Sequence, residues 1–318
     1  MFNSFRFGLF AFLISLSPFA SAGKDCPPAV PAQPTAEMIR DAMSKAQDRG
    51  FLWRISKGGH TSYLYGTIHV AKPEWLFPGP KVMAAIRAAD TVALELDMSD
   101  GDILRRLDQG MAALQGEVLP ESLARRMQQQ AEAMCVPYES IANLIPEFQV
   151  TVLSLFVGRW AGLDSSFAID GVLGGIGHGA AKEVLSLETP EAQLQLLQMG
   201  SRQATLSFVE SGLEDLETGR ARAMLGLAAK AWSEADYKRM SRYEEWCECL
   251  DSEIEREVMK RMLNERNPGL SESIDKLHAS GKQVFAAVGS LHMFGALGLP
   301  ALMEQRGYQV QRVDFATR

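Results

Sequence analysis

The sequence predicts an α/β fold: a mixed sheet built from strand–helix–strand repeats near the two ends of the chain, with a large helical insertion over about 102–264. Three observations predict it. The pattern G-x-x-H occurs twice, as Gly66-Thr67-Ile68-His69 and as Gly289-Ser290-Leu291-His292, and each copy closes an apolar, strand-like run. Each copy then leads through helix-like spacing into a second apolar run that ends on an aspartate, Asp97 or Asp314. Between the copies helical spacing dominates, so the sheet must draw its strands from both ends of the chain.

The elements follow in order. Met1 to Arg6 is weakly basic, Phe7 to Leu16 is apolar, and Ser17 to Ala22 ends in A-x-A form, which reads as a signal peptide (1–22) cut after Ala22. Its apolar run is well short of the roughly 20 residues that cross a bilayer, and no later stretch is long and apolar enough to do so. Residues 23–50 are a proline-rich lead and a short helix near Ala36 to Gln47. The main domain is 51–318. It opens with a hairpin, Phe51 to Ser56 and Ser62 to His69, around a Gly58-Gly59 turn. Pro80 to Ala89 is a helix opened by proline, and Thr91 to Asp97 is a strand with Glu95 and Asp97 on one face. Helical spacing covers Asp102 to Met134, Ile141 to Trp160, Ile169 to Ala181 and Pro190 to Asn264, interrupted by a strand-like Glu183 to Glu188. Helix, strand, helix and strand close the chain at Leu270 to Ser280, Gln283 to Val288, Leu299 to Arg306 and Gln309 to Asp314.

A net charge of −7 without a basic cluster argues against nucleic acid and anionic membranes as partners. A peptide or small-molecule substrate is expected instead, and a leader peptide points to the periplasm or the exterior. Cys26, Cys135, Cys247 and Cys249 all follow the leader and allow three full pairings. Cys247 and Cys249 stand too close to pair easily, so each is expected to join Cys26 or Cys135. The rival reading, a Cys-x-Cys metal or redox pair, has no third soft ligand nearby.

Four side chains stand at the trailing ends of strand-like runs: His69, Glu95, Glu188 and His292. If those strands are parallel, their carboxyl ends share the sheet edge where open α/β sheets place ligands. Imidazole with carboxylate suits a divalent ion with room for an activated water. A lone strand-end histidine is more often an ordinary hydrogen-bonded residue, but the duplication weighs against that reading. Glu95 has apolar neighbours, where an unpartnered charge is costly, whereas Glu188 also suits the start of the next helix. Arg266 reads either as part of an ordinary helix end or as a clamp for a substrate carboxylate or oxyanion. His60 is expected in solvent at the hairpin turn, His178 at a helix end and His278 on a polar helix face. The two copies differ: Glu95 lies two residues before Asp97, Arg312 two before Asp314. The first copy therefore brings an acid, the second the other histidine and a cation.

These motifs, with Leu94-Glu95-Leu96-Asp97, Gly162-Leu163-Asp164, Leu187 to Gln193 and Glu265-Arg266-Asn267, resemble the TraB/GumN family, which includes the Tiki-type metalloproteases. The resemblance covers about Phe51 to Val313. It implies a metal-dependent hydrolytic site carried by His69, His292 and Glu95, with manganese or cobalt as the metal. On that reading His69 and His292 ligate a divalent ion (manganese, cobalt or zinc), Glu95 is a ligand or the general base, and Glu188 and Arg266 support the ligands or bind substrate. The activity implied is peptide-bond cleavage. Ser290 stands where Ala or Gly is common in the family, and Met293 follows the second histidine. The wider superfamily also resembles haem-binding proteins, so a shared site leaves two other readings. One is a non-catalytic periplasmic haem-, metal- or peptide-binding protein. The other is an accessory protein in envelope polysaccharide assembly.

Overall fold

The apolar-rich runs on either side of Gly58-Gly59 fold into the expected hairpin. In the computed structural model, which describes residues 26–28 and 34–315, the hairpin is Phe51–Lys57 (β1) and His60–Thr67 (β2). Gly58 and Gly59 hold φ of 62° and 82°, the left-handed pair that a two-residue hairpin turn requires. The expected leader 1–22 lies outside the described residues. Four further strands complete the sheet: Thr91–Leu94 (β3), Glu183–Ser186 (β4), Val284–Gly289 (β5) and Gln309–Arg312 (β6). Their spatial order is β4-β3-β5-β2-β1-β6. β2, β3, β4 and β5 run parallel, and β1 is antiparallel to both of its neighbours. The fold is therefore α/β with a mixed sheet. β3 and β5 are buried at every position, which is why they read as continuous apolar runs rather than alternating ones.

The two repeats interleave. The chain leaves β2 through the helix Pro80–Ala88 and enters β3 on the far side of β5. It leaves β5 through Leu299–Gln305 and enters β6 beyond β2 and β1. As a result β2 and β5 are neighbours, with Gly66 opposite Val288 and Thr67 opposite Gly289. The two G-x-x-H segments thus leave the sheet side by side. A Cβ on Gly66 would lie 2.9 Å from Ser290 Oγ and 3.1 Å from Ser290 Cα, so the first glycine is what lets them pack.

The helical middle divides where turn chemistry divides it. Asp102 to Met134 forms two helices, Gly101–Ala113 and Glu121–Ala133. The run from Pro190 to Asn264 is broken repeatedly, most sharply at Gly219, whose φ of 78° ends Arg202–Thr218. β4 precedes that run and joins the edge of the sheet beside β3. Met127, Ile141, Val150, Leu153, Val209 and Leu213 form a core of their own, separate from the apolar residues of the sheet.

Two expectations are corrected. Cys26 pairs with Cys135, and Cys247 pairs with Cys249. The Cys-x-Cys pair closes because Glu248 adopts φ 47°, which folds the chain back and brings the two Cα atoms to 5.0 Å. His278 is not on a polar face but only 4% exposed. Its Nδ1 accepts from Ser62 Oγ at 2.8 Å and its Nε2 donates to the Lys57 carbonyl at 3.0 Å. Ser62 Oγ in turn accepts from the Val284 amide at 3.0 Å, so one imidazole links the helix Asn267–Ala279 to β1, β2 and β5. We expect His278→Ala to lower unfolding stability by about 2–3 kcal/mol, because buried partners lose their hydrogen bonds; a denaturant midpoint unchanged from the native chain would refute this.

Among the described residues, no helix is long and apolar enough to cross a membrane. The two disulfides fit an oxidising compartment.

Candidate active site

Because β2, β3, β4 and β5 are parallel, their carboxyl ends do share one edge, and the loops that follow them bring His69, Glu95, Glu188 and His292 to it. The focus is Gly289, the last residue of β5. A Cβ there would stand 3.2 Å from His69 Nε2, 3.4 Å from Glu95 Oε1 and 3.6 Å from His292 Cδ2. Both histidines and the acid thus converge over one bare backbone position. The Gly289 amide also donates to Glu95 Oε1 at 2.8 Å.

Each imidazole is oriented from behind. His69 Nδ1 donates to Asp170 Oδ2 at 2.9 Å, and Thr67 Oγ1 donates to the other oxygen of that carboxylate at 2.6 Å. His292 Nδ1 lies 2.6 Å from Asn267 Oδ1, an atom that only accepts, so the proton sits on Nδ1 and the Nε2 lone pair faces the cluster. Asn267 is itself held through its Nδ2, which donates to the Leu297 carbonyl at 2.7 Å. The two rings differ in exposure: the His69 side chain is 59% open to solvent, the His292 side chain 4%.

Arg266 occupies the middle. Its guanidinium donates to Glu95 Oε2 at 2.6 Å, to Glu188 Oε1 at 2.9 Å and to His292 Nε2 at 3.2 Å. Gln193 Nε2 bridges the two acids, at 3.1 Å from Glu188 and 3.3 Å from Glu95. The Arg266 side chain is 9% exposed and both acids 12%, so this charge network is largely out of water. A single π-helical turn, Lys260–Asn264, precedes Arg266. By adding a residue to one turn it rotates the chain that follows, and Arg266 and Asn267 both face inward.

The environment separates the titrations. The Asp170 carboxylate raises His69 to about 9, while burial pushes His292 down to about 4. Burial opposes the Glu95 charge, but His292, Arg266, His69 and the Gly289 amide outweigh it and hold the carboxyl well below the usual range. The edge therefore carries a cationic imidazole, a neutral imidazole and an ionised carboxylate around one point, the divergence expected where acid and base roles are divided.

Some expected members stand elsewhere. β3 ends at Leu94, so Glu95 and Asp97 do not share a strand face. Asp97 turns to His178, at 2.8 Å from Nε2, and accepts from Ser99 Oγ at 2.6 Å. Arg312 lies over the Tyr237 ring and pairs with Asp314, so the cation of the site is Arg266 and not Arg312. Asp170 and Asn267 escaped sequence reasoning as site residues. A trace of each was present: an acid opening a Gly-rich apolar helix, and an amide side chain directly before a helix-starting proline.

Among the described residues, no three His, Cys, Asp or Glu side chains are arranged to enclose an ion as they stand. The donor chemistry nonetheless suits a divalent ion: two imidazoles able to present Nε2, each tied at Nδ1 to an acceptor, and a carboxylate between them. The Arg266 guanidinium holds the position between His292 and Glu95. An alanine at Gly289 accepts the local backbone (φ −49°) but crowds His69 Nε2 at 3.2 Å, while Glu95 and His292 lie at ordinary contact distance. If the edge holds a divalent ion, Gly289→Ala should weaken its binding about 10-fold, as disturbing the support of a ligand does; titration calorimetry giving the native affinity would refute it.

The chain is thus an α/β domain whose sheet edge, assembled from both ends of the sequence, gathers paired imidazoles, acids and a buried arginine. Residues 51–312 match the TraB/PrgY/gumN family, and the chain belongs to that family. No curated protein and no solved structure matches it significantly.

Proposed function

We propose that this is an exported metal-dependent hydrolase, acting on peptide bonds in the periplasm or outside the cell. The observation that carries the reading is the convergence of His69 Nε2, His292 and Glu95 over Gly289, with both Nδ1 atoms tied to acceptors. His69, His292 and Glu95 would hold the ion. A divalent ion so held lowers the pKa of its water and polarises the scissile carbonyl. Glu95, kept ionised by its neighbours, accepts the proton of the attacking water and returns it to the leaving amine. Arg266, freed from Glu95 but still held by Glu188, offers its charge to the carbonyl oxygen as negative charge develops there. Asp170 and Asn267 keep the two rings in the required tautomers.

The test is ion removal and return. Protein stripped with chelator should lose hydrolysis of a peptide library and regain it with manganese, cobalt or zinc. Because Asp170 holds His69 protonated up to about pH 9, ion binding at neutral pH must release that proton. Affinity should therefore rise from pH 6 towards pH 9. Hydrolysis that survives the chelator, or affinity flat across that range, contradicts the reading.

One observation favours a second reading, a binding protein without turnover. Arg266 closes the space between Glu95 and His292, which a catalytic water would need. That reading predicts ion or ligand uptake with no cleavage of any peptide supplied.

A further inference from the structure

The hydrolytic reading makes no use of the Cys247–Cys249 disulfide. The two bonds of this chain differ in what they close: Cys26 and Cys135 are 109 residues apart in sequence, Cys247 and Cys249 only 2. A cross-link over a long loop removes much freedom from the open chain, whereas one over a single residue removes little, so the short bond contributes little to folding and its reduction leaves the fold in place. The small ring is also held in an uncommon conformation. Its intervening residue, Glu248, has φ 47° and a side chain with a Cβ, the left-handed region that glycine takes without cost.

Access is one-sided. Cys247 is 8% exposed and packs in the core of the sheet with Tyr243, whereas Cys249 is half-buried at the rim. Cys247 Sγ accepts from the Cys249 amide at 3.3 Å, a contact that helps a departing thiolate at Cys247. The surface around the pair is acidic on balance: Glu244, Glu245, Glu248, Asp251 and Glu253 outnumber Arg242, which pairs with Glu245, and Arg256, whose guanidinium caps the Leu250 and Asp251 carbonyls. An anionic monothiol such as glutathione is repelled there; a neutral or basic dithiol is not.

We infer that Cys247–Cys249 is a thiol–disulfide exchange site that takes electrons from dithiols, with Cys249 as the attacked sulfur. One thiolate of the dithiol bonds to Cys249 Sγ as the Cys249–Cys247 bond breaks, and Cys247 leaves as a thiolate. The second thiolate of the dithiol then bonds to the first and releases Cys249. The products are two protein thiols and one oxidised dithiol, a two-electron reduction of the protein. The chain that follows Cys249 runs through Glu253–Met259 and the π turn to Arg266, so the exchange site and the charge network share one stretch of chain.

The experiment uses the full oxidised chain in buffers of graded reduced-to-oxidised dithiothreitol, with thiols trapped by alkylation and located by peptide mass spectrometry. Cys247 and Cys249 should be half-alkylated at a ratio at least about tenfold lower than Cys26 and Cys135, because the small ring is held in the left-handed conformation at Glu248. Glutathione at equal thiolate concentration should reduce the pair more slowly than dithiothreitol at low salt, and the gap should narrow at high salt. Glu248→Gly, which suits the left-handed position, should need a several-fold higher ratio for half-reduction. Coincident midpoints for the two disulfides, or earlier reduction of Cys26–Cys135, would overturn the inference.

Discussion

His69→Ala is expected to lower metal-dependent peptide hydrolysis by at least about 1,000-fold, or roughly 4 kcal/mol of transition-state stabilisation. The side chain touches the site through Nε2 and the scaffold only through Asp170, and it is largely open to solvent. Its loss should therefore change stability by no more than about 0.5 kcal/mol, as for most exposed positions. His292→Ala should abolish activity equally but also cost about 2 kcal/mol of stability, since Asn267 loses a buried partner. The pair of variants separates chemistry from folding: kinetics give the first effect, urea titration the second. Full activity in His69→Ala would end the hydrolase assignment, whatever His292→Ala did.

The second large effect concerns Arg266. In the absence of metal, Arg266→Met leaves Glu95 and Glu188 facing one another with Gln193 as their shared donor. Removing one partner of a buried ion pair costs about 3–5 kcal/mol, so the variant should melt well below the native chain in chelator. Adding manganese should restore much of that loss, and the ion should bind at least about tenfold more tightly than to the native chain, which must first displace the guanidinium. The pH dependence should change as well. Glu95 has its pKa depressed below 4.5 in the folded chain, so the stability this contributes is present above the unfolded value and lost as pH falls through the folded one. Without Arg266 that acid-labile part should shrink. Unchanged ion affinity in Arg266→Met would show that the guanidinium and the ion do not compete.

The legible part of the site was the part written twice. His69 and His292 stood out because the same four-residue pattern closes two apolar runs, and Glu95 because an acid ends a wholly apolar strand. Their partners were not written in any local pattern. Asp170 reaches His69 across 101 positions of chain, and Arg266 reaches Glu95 across 171. The inward aim of Arg266 depends on one π-helical turn, which has no signature in helical spacing. The cysteine pairing is illegible for a related reason: whether two cysteines two residues apart can join depends on a single backbone angle at Glu248.

What the sequence by itself determined is the kind of fold, the hairpin and its turn, and which strand-end side chains were candidates for one edge. Those follow from short-range causes: apolar periodicity, glycine conformational freedom and the alternation of strand with helix. Only the tertiary structure decided the strand order, in which β5 passes between β2 and β3 and makes the two G-x-x-H segments neighbours. It alone decided that the cation of the site is Arg266 rather than Arg312, and that His278 is a core residue. Such outcomes are set by which surfaces bury one another, and burial couples residues irrespective of their distance along the chain.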